Sequence, residues 1–168
     1  MRWWAGAVLT AALLAQSQGP PSLSAQLPAP PRLRLPPLPP APAAAKPREP
    51  LQVGSHRSLP KNAVKKGKWA TLNTGARLWR LAVESPGAAA LRLHFQAFDA
   101  GTGRVWVHTM ADGKPQFAGP YTGKGPNGDG DFWTGVLFGA SAVIEFQHAA
   151  KSKAVPFIIH QLAHRTEP

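Results

Sequence analysis

The side chains able to do chemistry in this 168-residue chain are few and scattered. Six histidines, at positions 56, 94, 108, 148, 160 and 164, stand singly along the sequence. Nucleophilic hydrolysis needs a hydroxyl on a sharp turn with a base in reach. The candidate serine, Ser141, lies in Phe138-Gly139-Ala140-Ser141-Ala142, which is neither a nucleophile elbow nor a Gly-Asp-Ser-Gly-Gly loop. His160 and His164 have the spacing of a metal-binding helix face, but the run around them reads as a strand, where four residues span about 13 Å. His94 and His108 fall on the water-facing phase of their strands, so both are expected to be solvated. No catalytic residue is expected, and no cofactor.

The remaining candidates surround one glycine-rich stretch, residues 119–135, with six glycines in seventeen positions. Asn127, Asp129 and Asp131 alternate with glycine, like the opening of a calcium loop. Phe132 and Phe138 occupy the places where an EF-hand needs glycine and a bidentate glutamate, so only a looser structural Ca²⁺ site is open to the three. Tyr121, with Trp106 or Trp133, offers aromatic rings on which a sugar or a protein partner could pack. These three aromatics are the candidate partner- or ligand-binding residues.

The elements that must position them are strands. Leu91, Leu93 and Phe95 alternate with Arg92, His94 and Gln96, and Val105 and Val107 with Arg104, Trp106 and His108. That period of two predicts half-buried strands, with the aliphatic set on the core. Residues 76–84, 132–138, 142–146 and 156–162 supply further apolar runs, with turns such as Ser85-Pro86-Gly87 between them. Residues 99–103 read as a hairpin loop joining the 89–98 and 104–108 strands. No window carries a helical period long enough for a helix. The pattern predicts an all-β, jelly-roll-like sandwich of about seven to nine strands over residues 51–165. Its expected core is Leu91, Leu93, Phe95, Val105, Val107, Phe132, Val136, Phe138, Ile144, Phe146 and Ile158.

Ahead of that domain, residues 1–19 have the basic start, short apolar run and small polar exit of a secretory signal peptide. The apolar run is too short to span a bilayer. Residues 20–50 hold twelve prolines. Proline fixes φ and removes a donor, so this stretch is expected to be an extended linker outside any sheet. The chain has no cysteine, so no disulfide braces it.

The net charge of +11 is unevenly spread. Residues 1–68 carry ten Lys/Arg against Glu49 alone, whereas residues 69–168 carry nine against seven acids. A nucleic-acid module would concentrate basic charge on the domain itself. The basic cluster at 61–68 reads as a solvated loop, and the expected state is a monomer without a specific nucleic-acid partner.

Several segments occur in a familiar order: Leu78-Trp79-Arg80-Leu81, Ser85-Pro86-Gly87-Ala88, Leu91-Arg92-Leu93-His94-Phe95, Gly119-Pro120-Tyr121-Thr122-Gly123, Phe132-Trp133-Thr134 and Ala163-His164. Together they resemble the non-catalytic N-terminal region of bacterial secreted trypsin-like serine proteases of the lysyl endopeptidase type. The resemblance runs from about residue 51 to 164. It implies a galactose-binding-like β-sandwich serving as an accessory to a trypsin-like protease, in folding, inhibition or substrate contact. The family's His, Asp and Ser triad and its disulfides have no counterpart positions in this sequence, so a secreted accessory part without the enzyme is expected. A carbohydrate- or cell-surface-binding module, with a surface polysaccharide as partner, is the alternative.

Overall fold

The computed structural model describes residues 19–25, 27–39, 54–148 and 154–166. The signal-peptide expectation, apart from Gly19, lies outside the described residues. The chain is all-β, and its described residues form two sheets packed as a sandwich. Sheet A contains β1 (Arg32–Arg34), β3 (Lys68–Thr71), β4 (Arg77–Glu84), β6 (Arg104–Ala111), β7 (Lys114–Tyr121) and β10 (Ser141–His148). Sheet B contains β2 (Gly54–Ser58), β5 (Ala90–Gln96), β8 (Phe132–Trp133), β9 (Leu137–Phe138) and β11 (Ile158–Arg165). The eleven strands exceed the expected seven to nine because β1, β8 and β9 are only two or three residues long.

Most connections cross between the sheets, which is the jelly-roll-like wiring. The 99–103 loop is one of these crossings and not a hairpin, since β5 belongs to sheet B and β6 to sheet A. The true hairpin joins β6 to β7 through Asp112 and Gly113, both at positive φ (51° and 73°). Asp-Gly suits that geometry because a two-residue hairpin turn of this hand needs left-handed backbone at both positions.

Between the sheets, period-two alternation does what it should. Leu91, Leu93, Phe95, Val105, Val107, Phe132, Ile144 and Phe146 are all buried in one cluster. Phe157, absent from the expected core, sits at its centre, with ring centroids 5.2 Å from Phe95, 5.6 Å from Phe98, 5.8 Å from Trp79 and 6.0 Å from Phe146. Three expected core residues are corrected: Val136, Phe138 and Ile158 are exposed. Phe138 lies opposite Ala90 and Ile158 opposite Gln96 on the outward phase of β5, while their neighbours Leu137 and Ile159 point inward.

The linker expectation for residues 20–50 is also corrected where the structure describes them. Arg32-Leu33-Arg34 pairs in parallel with Ala82-Val83-Glu84, and Leu33 and Leu35 are buried in the core cluster. Proline withholds a donor, but an edge strand needs donors on one side only. Here the bonds run from Ala82 N–H to Pro31 O and from Leu35 N–H to Glu84 O, avoiding every proline nitrogen. Further upstream, residues 19–25 and 27–31 form a strap on the outer face of sheet A, where Ser22 meets Glu145 and Pro28 meets Arg80, so the described residues form three layers.

Phe95 touches Phe98, Phe132 and Phe157 inside this closed cluster. Phe95→Ala is expected to lower unfolding stability by about 3–5 kcal/mol. Urea titration followed by tryptophan fluorescence checks this; a midpoint equal to that of the parent chain would remove Phe95 from the core.

Candidate functional site

Three polar clusters hold the titratable groups, and each has a different environment. The first lies under the N-terminal strap on the outer face of sheet A. Strand register puts Arg80, Glu145 and Trp106 side by side on that face, with His108 one pleat along. Glu145 and Trp106 have no solvent exposure, and His108 is also buried. A buried carboxylate must find donors. Glu145 accepts the Ser22 amide at 3.1 Å, the Ser22 hydroxyl, and His108 Nε2–H at 3.0 Å. Arg80 donates to Pro28 O at 2.8 Å, fixing the strap further along. The solvated-surface expectation for His108 is therefore corrected: the strap covers its strand face.

Serine, histidine and glutamate together invite a hydrolase reading, and the geometry rejects it. In a triad the acid and the hydroxyl engage opposite ring nitrogens. Here Glu145 and Ser22 both face His108 Nε2, at 3.0 and 3.5 Å, and the hydroxyl is spent on the carboxylate. An open cleft of about 840 Å³ lies beside the strap, between Pro21, Leu27 and the Thr71–Thr74 turn, with Trp106 and Gln147 among its lining residues.

The second cluster is a hydrogen-bond chain that runs from the surface into the core. Arg57 donates to Pro36 O and to Ser85 Oγ (2.7 Å), and Ser85 Oγ lies 2.7 Å from His164 Nδ1. With Ser85 accepting from a guanidinium, its own proton is available to His164 Nδ1, and burial and the Arg57 charge both disfavour a charge on that ring. Ser85 and His164 are both buried, so this pair meets no substrate.

The third cluster occupies the outer face of sheet B. Trp133 stacks on His94 with centroids 4.7 Å apart and planes 7° apart, and His56 lies against it at 5.1 Å. The Arg92 guanidinium stands 5.8 Å from the same indole, and His160 packs edge-on to His94 at 5.5 Å. His94 Nε2 donates to Asp131 Oδ1 at 2.6 Å, and Gln96 donates to the other oxygen at 3.2 Å.

Against these clusters the sequence candidates fall out as follows. Trp106 lies under the strap, Trp133 on the outer face of sheet B, and Tyr121 between the sheets, 4.8 Å from Phe132. They do not form one platform. Burial pushes the Tyr121 hydroxyl above its ordinary range. Asp131 turns to His94, and Asp129 accepts the Asp131 amide at 3.0 Å. Asn127 reaches the Asp131 carbonyl at 3.4 Å, so the three side chains serve the loop and do not converge as a calcium cage. Among the described residues, no three acidic, imidazole or thiol side chains gather to hold a metal. The glycines do steric work: a Cβ on Gly130, at φ +80°, would sit 3.0 Å from Phe98 O, and one on Gly125 would enter the Phe132 ring. The loop is a connector that sends Phe132 inward and Trp133 outward, with Thr134 bonded to Leu93 through its backbone amide and its hydroxyl.

The family model of the lysyl endopeptidase N-terminal domain matches residues 26–166. The chain belongs to that family. No curated protein and no solved structure matches it. The family is named for the N-terminal domain and not for the catalytic one. The segments that carry the resemblance do structural duty in this member. Ser85 of Ser-Pro-Gly-Ala bonds His164, and Arg80 of Trp-Arg-Leu holds the strap.

Two carboxyls and one imidazole of this lysyl endopeptidase N-terminal domain are shifted downward. Burial raises the Glu145 carboxyl, but hydrogen bonds from His108 and Ser22 outweigh it, leaving it below the usual carboxylate range. The His94 hydrogen bond, helped by Gln96, lowers Asp131. Burial and then the Arg57 charge lower His164. A depressed carboxyl stabilises the fold fully above its unfolded value of about 4.3, and that stability is lost as pH falls through the folded value. A depressed histidine likewise favours the fold above about 6.5 and withdraws that support on acidification. Stability is therefore expected to fall as pH drops below about 6.5 through His164, and again below about 4.5 through Glu145 and Asp131. Glu145→Gln presents an NH₂ to donors, so it is expected to cost about 1–3 kcal/mol at pH 7 and to flatten the lower limb. His164→Asn is expected to flatten the upper one. Urea unfolding from pH 8 to 3 measures both; acid limbs unchanged in the two variants would contradict these assignments.

Proposed function

We propose that this chain is a secreted, non-enzymatic accessory domain that acts on a trypsin-like serine protease of the lysyl endopeptidase type, as a folding, inhibitory or substrate-contact module. The observation that carries the reading is the family match over residues 26–166. The chemistry of the site agrees with it. Both serine–histidine pairings are committed to the fold: the Ser22 hydroxyl is spent on Glu145, and Ser85 is shut away with His164. Among the described residues, no helix is long and apolar enough to cross a membrane, which suits an exported domain.

The mechanism is surface complementarity. A domain that binds the native protease and not its unfolded chain stabilises that protease by mass action, by about 2.7 kcal/mol at a hundredfold excess over Kd. The scattered positions of Trp106, Tyr121 and Trp133 leave the polysaccharide alternative without a shared aromatic platform. Refolding of a denatured lysyl endopeptidase catalytic domain tests the proposal. Adding this chain at micromolar concentration is expected to raise the recovered activity severalfold, or to suppress the activity of the native enzyme, with a complex seen on gel filtration. Unchanged recovery, unchanged activity and no complex would overturn it.

A further inference from the structure

The β6–β7 hairpin forms the edge of sheet A and exposes apolar side chains that no described residue covers. Met110 is 58 % exposed and Phe117 42 %, and Pro115 is exposed as well. Strand register sets Met110 opposite Pro115 and Phe117 opposite His108. His108 points to the outer face, so alternation gathers Met110, Pro115 and Phe117 on that same face. Exposed apolar groups standing together mark contact surfaces, and methionine and aromatic rings are the types enriched in them.

At the tip of this hairpin stands a lysine. Lys114 follows the Asp112-Gly113 turn, opens β7 opposite Ala111, and is exposed. It makes no ion pair among the described residues. Pro115 comes next, and a residue before proline is confined to extended backbone. A protease that cuts after lysine takes the ammonium into an acidic pocket beside its nucleophile. The bond after Lys114 resists such a cut, because proline puts a ring carbon on the nitrogen that the catalytic histidine must protonate. The other described lysines lack this combination. Lys61, Lys65, Lys66, Lys68 and Lys124 precede Asn62, Lys66, Gly67, Trp69 and Gly125, none of which is proline. Lys65 and Lys66 also lie in a 3-10 turn (Ala63–Lys66), and the Lys124 carbonyl is tied to the Gly130 amide at 2.9 Å.

We propose that the β6–β7 hairpin is the element with which this domain docks on a lysine-specific serine protease. Lys114 enters the enzyme's specificity pocket as an uncut pseudo-substrate, and Met110, Pro115 and Phe117 pack on the rim around it. The occupant follows from charge: an acidic pocket that selects lysine meets an exposed lysine whose following bond is protected. The proposal rests on the accessory reading and narrows it to reversible, competitive inhibition.

Titrating the full chain against a lysyl endopeptidase catalytic domain, with a small chromogenic lysine amide as substrate, tests it. Competitive inhibition is expected, with the Lys114–Pro115 bond intact by mass spectrometry. Lys114→Ala should weaken inhibition about thirtyfold or more, as loss of a central anchor does, and Met110→Ser with Phe117→Ser about tenfold. Enzyme whose pocket is filled by a lysyl chloromethyl ketone should no longer bind the chain on gel filtration. Undiminished inhibition by a Lys114→Ala chain that is folded by circular dichroism overturns the proposal. So does cleavage after Lys114, or full binding to the blocked enzyme. If the alanine variant does not fold, the blocked enzyme decides. A complex without competitive inhibition overturns this docking mode and leaves the accessory reading standing, whereas no complex and no effect on refolding overturns both. Dimers of the chain that depend on Met110 and Phe117, with no enzyme bound, would assign the patch to a second copy and equally overturn it.

Discussion

A carboxylate with no solvent exposure has to be supplied with donors by the protein itself, since a buried charge left unpaired costs about 3–5 kcal/mol. Glu145, in the middle of β10, sets that requirement for the whole of sheet A. His108 on the neighbouring strand meets part of it, and the rest comes from Ser22, 123 residues away in sequence. The N-terminal segment is thereby drawn over Trp106 and Arg80, and sheet A becomes the middle of three layers. Parallel pairing of β1 on β4 and burial of Leu33 and Leu35 continue the same path to the rim of the sandwich.

Without cysteine, the sandwich closes on aromatic packing. Phe95, Phe98, Phe132, Phe146, Phe157 and Trp79 form a connected set between the sheets. Rings of this size bury much area for few rotatable bonds, which suits a domain of modest size with no covalent brace. The glycine-rich loop feeds Phe132 and Tyr121 into that set and leaves Trp133 outside. The strapped face spends its chemistry internally, which leaves function to the open face of sheet B and to the exposed β6–β7 hairpin.

Much of this architecture is legible in the sequence where one physical rule acts alone. Alternation around Leu91, Leu93 and Phe95 and around Val105 and Val107 gives their strands and burial directly. It fails at Phe138 and Ile158 because an apolar pair at a strand start shows which residues are apolar but not which one begins the inward phase. Two signals were present but outweighed. The alternation Arg32-Leu33-Arg34-Leu35 is a strand pattern hidden among prolines, and Asp112-Gly113 is a hairpin turn with β7 behind it. His108 and Trp106 could not be assigned from their strand, since alternation identifies the outer face but not what covers it. The Ser22–Glu145 and Ser85–His164 contacts join residues 123 and 79 apart, and no local pattern encodes such pairings.

The clamp on Glu145 is therefore the point on which the fold turns: it makes residues 19–25 and 27–35 part of the domain and commits Ser22, His108 and Glu145 to one another. Native-state hydrogen exchange at the Ser22 amide, in a chain that retains this segment, tests it most directly. A clamped amide exchanges only on opening of the strap, so protection comparable to that of the β10 amides is predicted. Exchange at the rate of an unstructured peptide would mean that the strap is loose and Glu145 is free to serve a ligand.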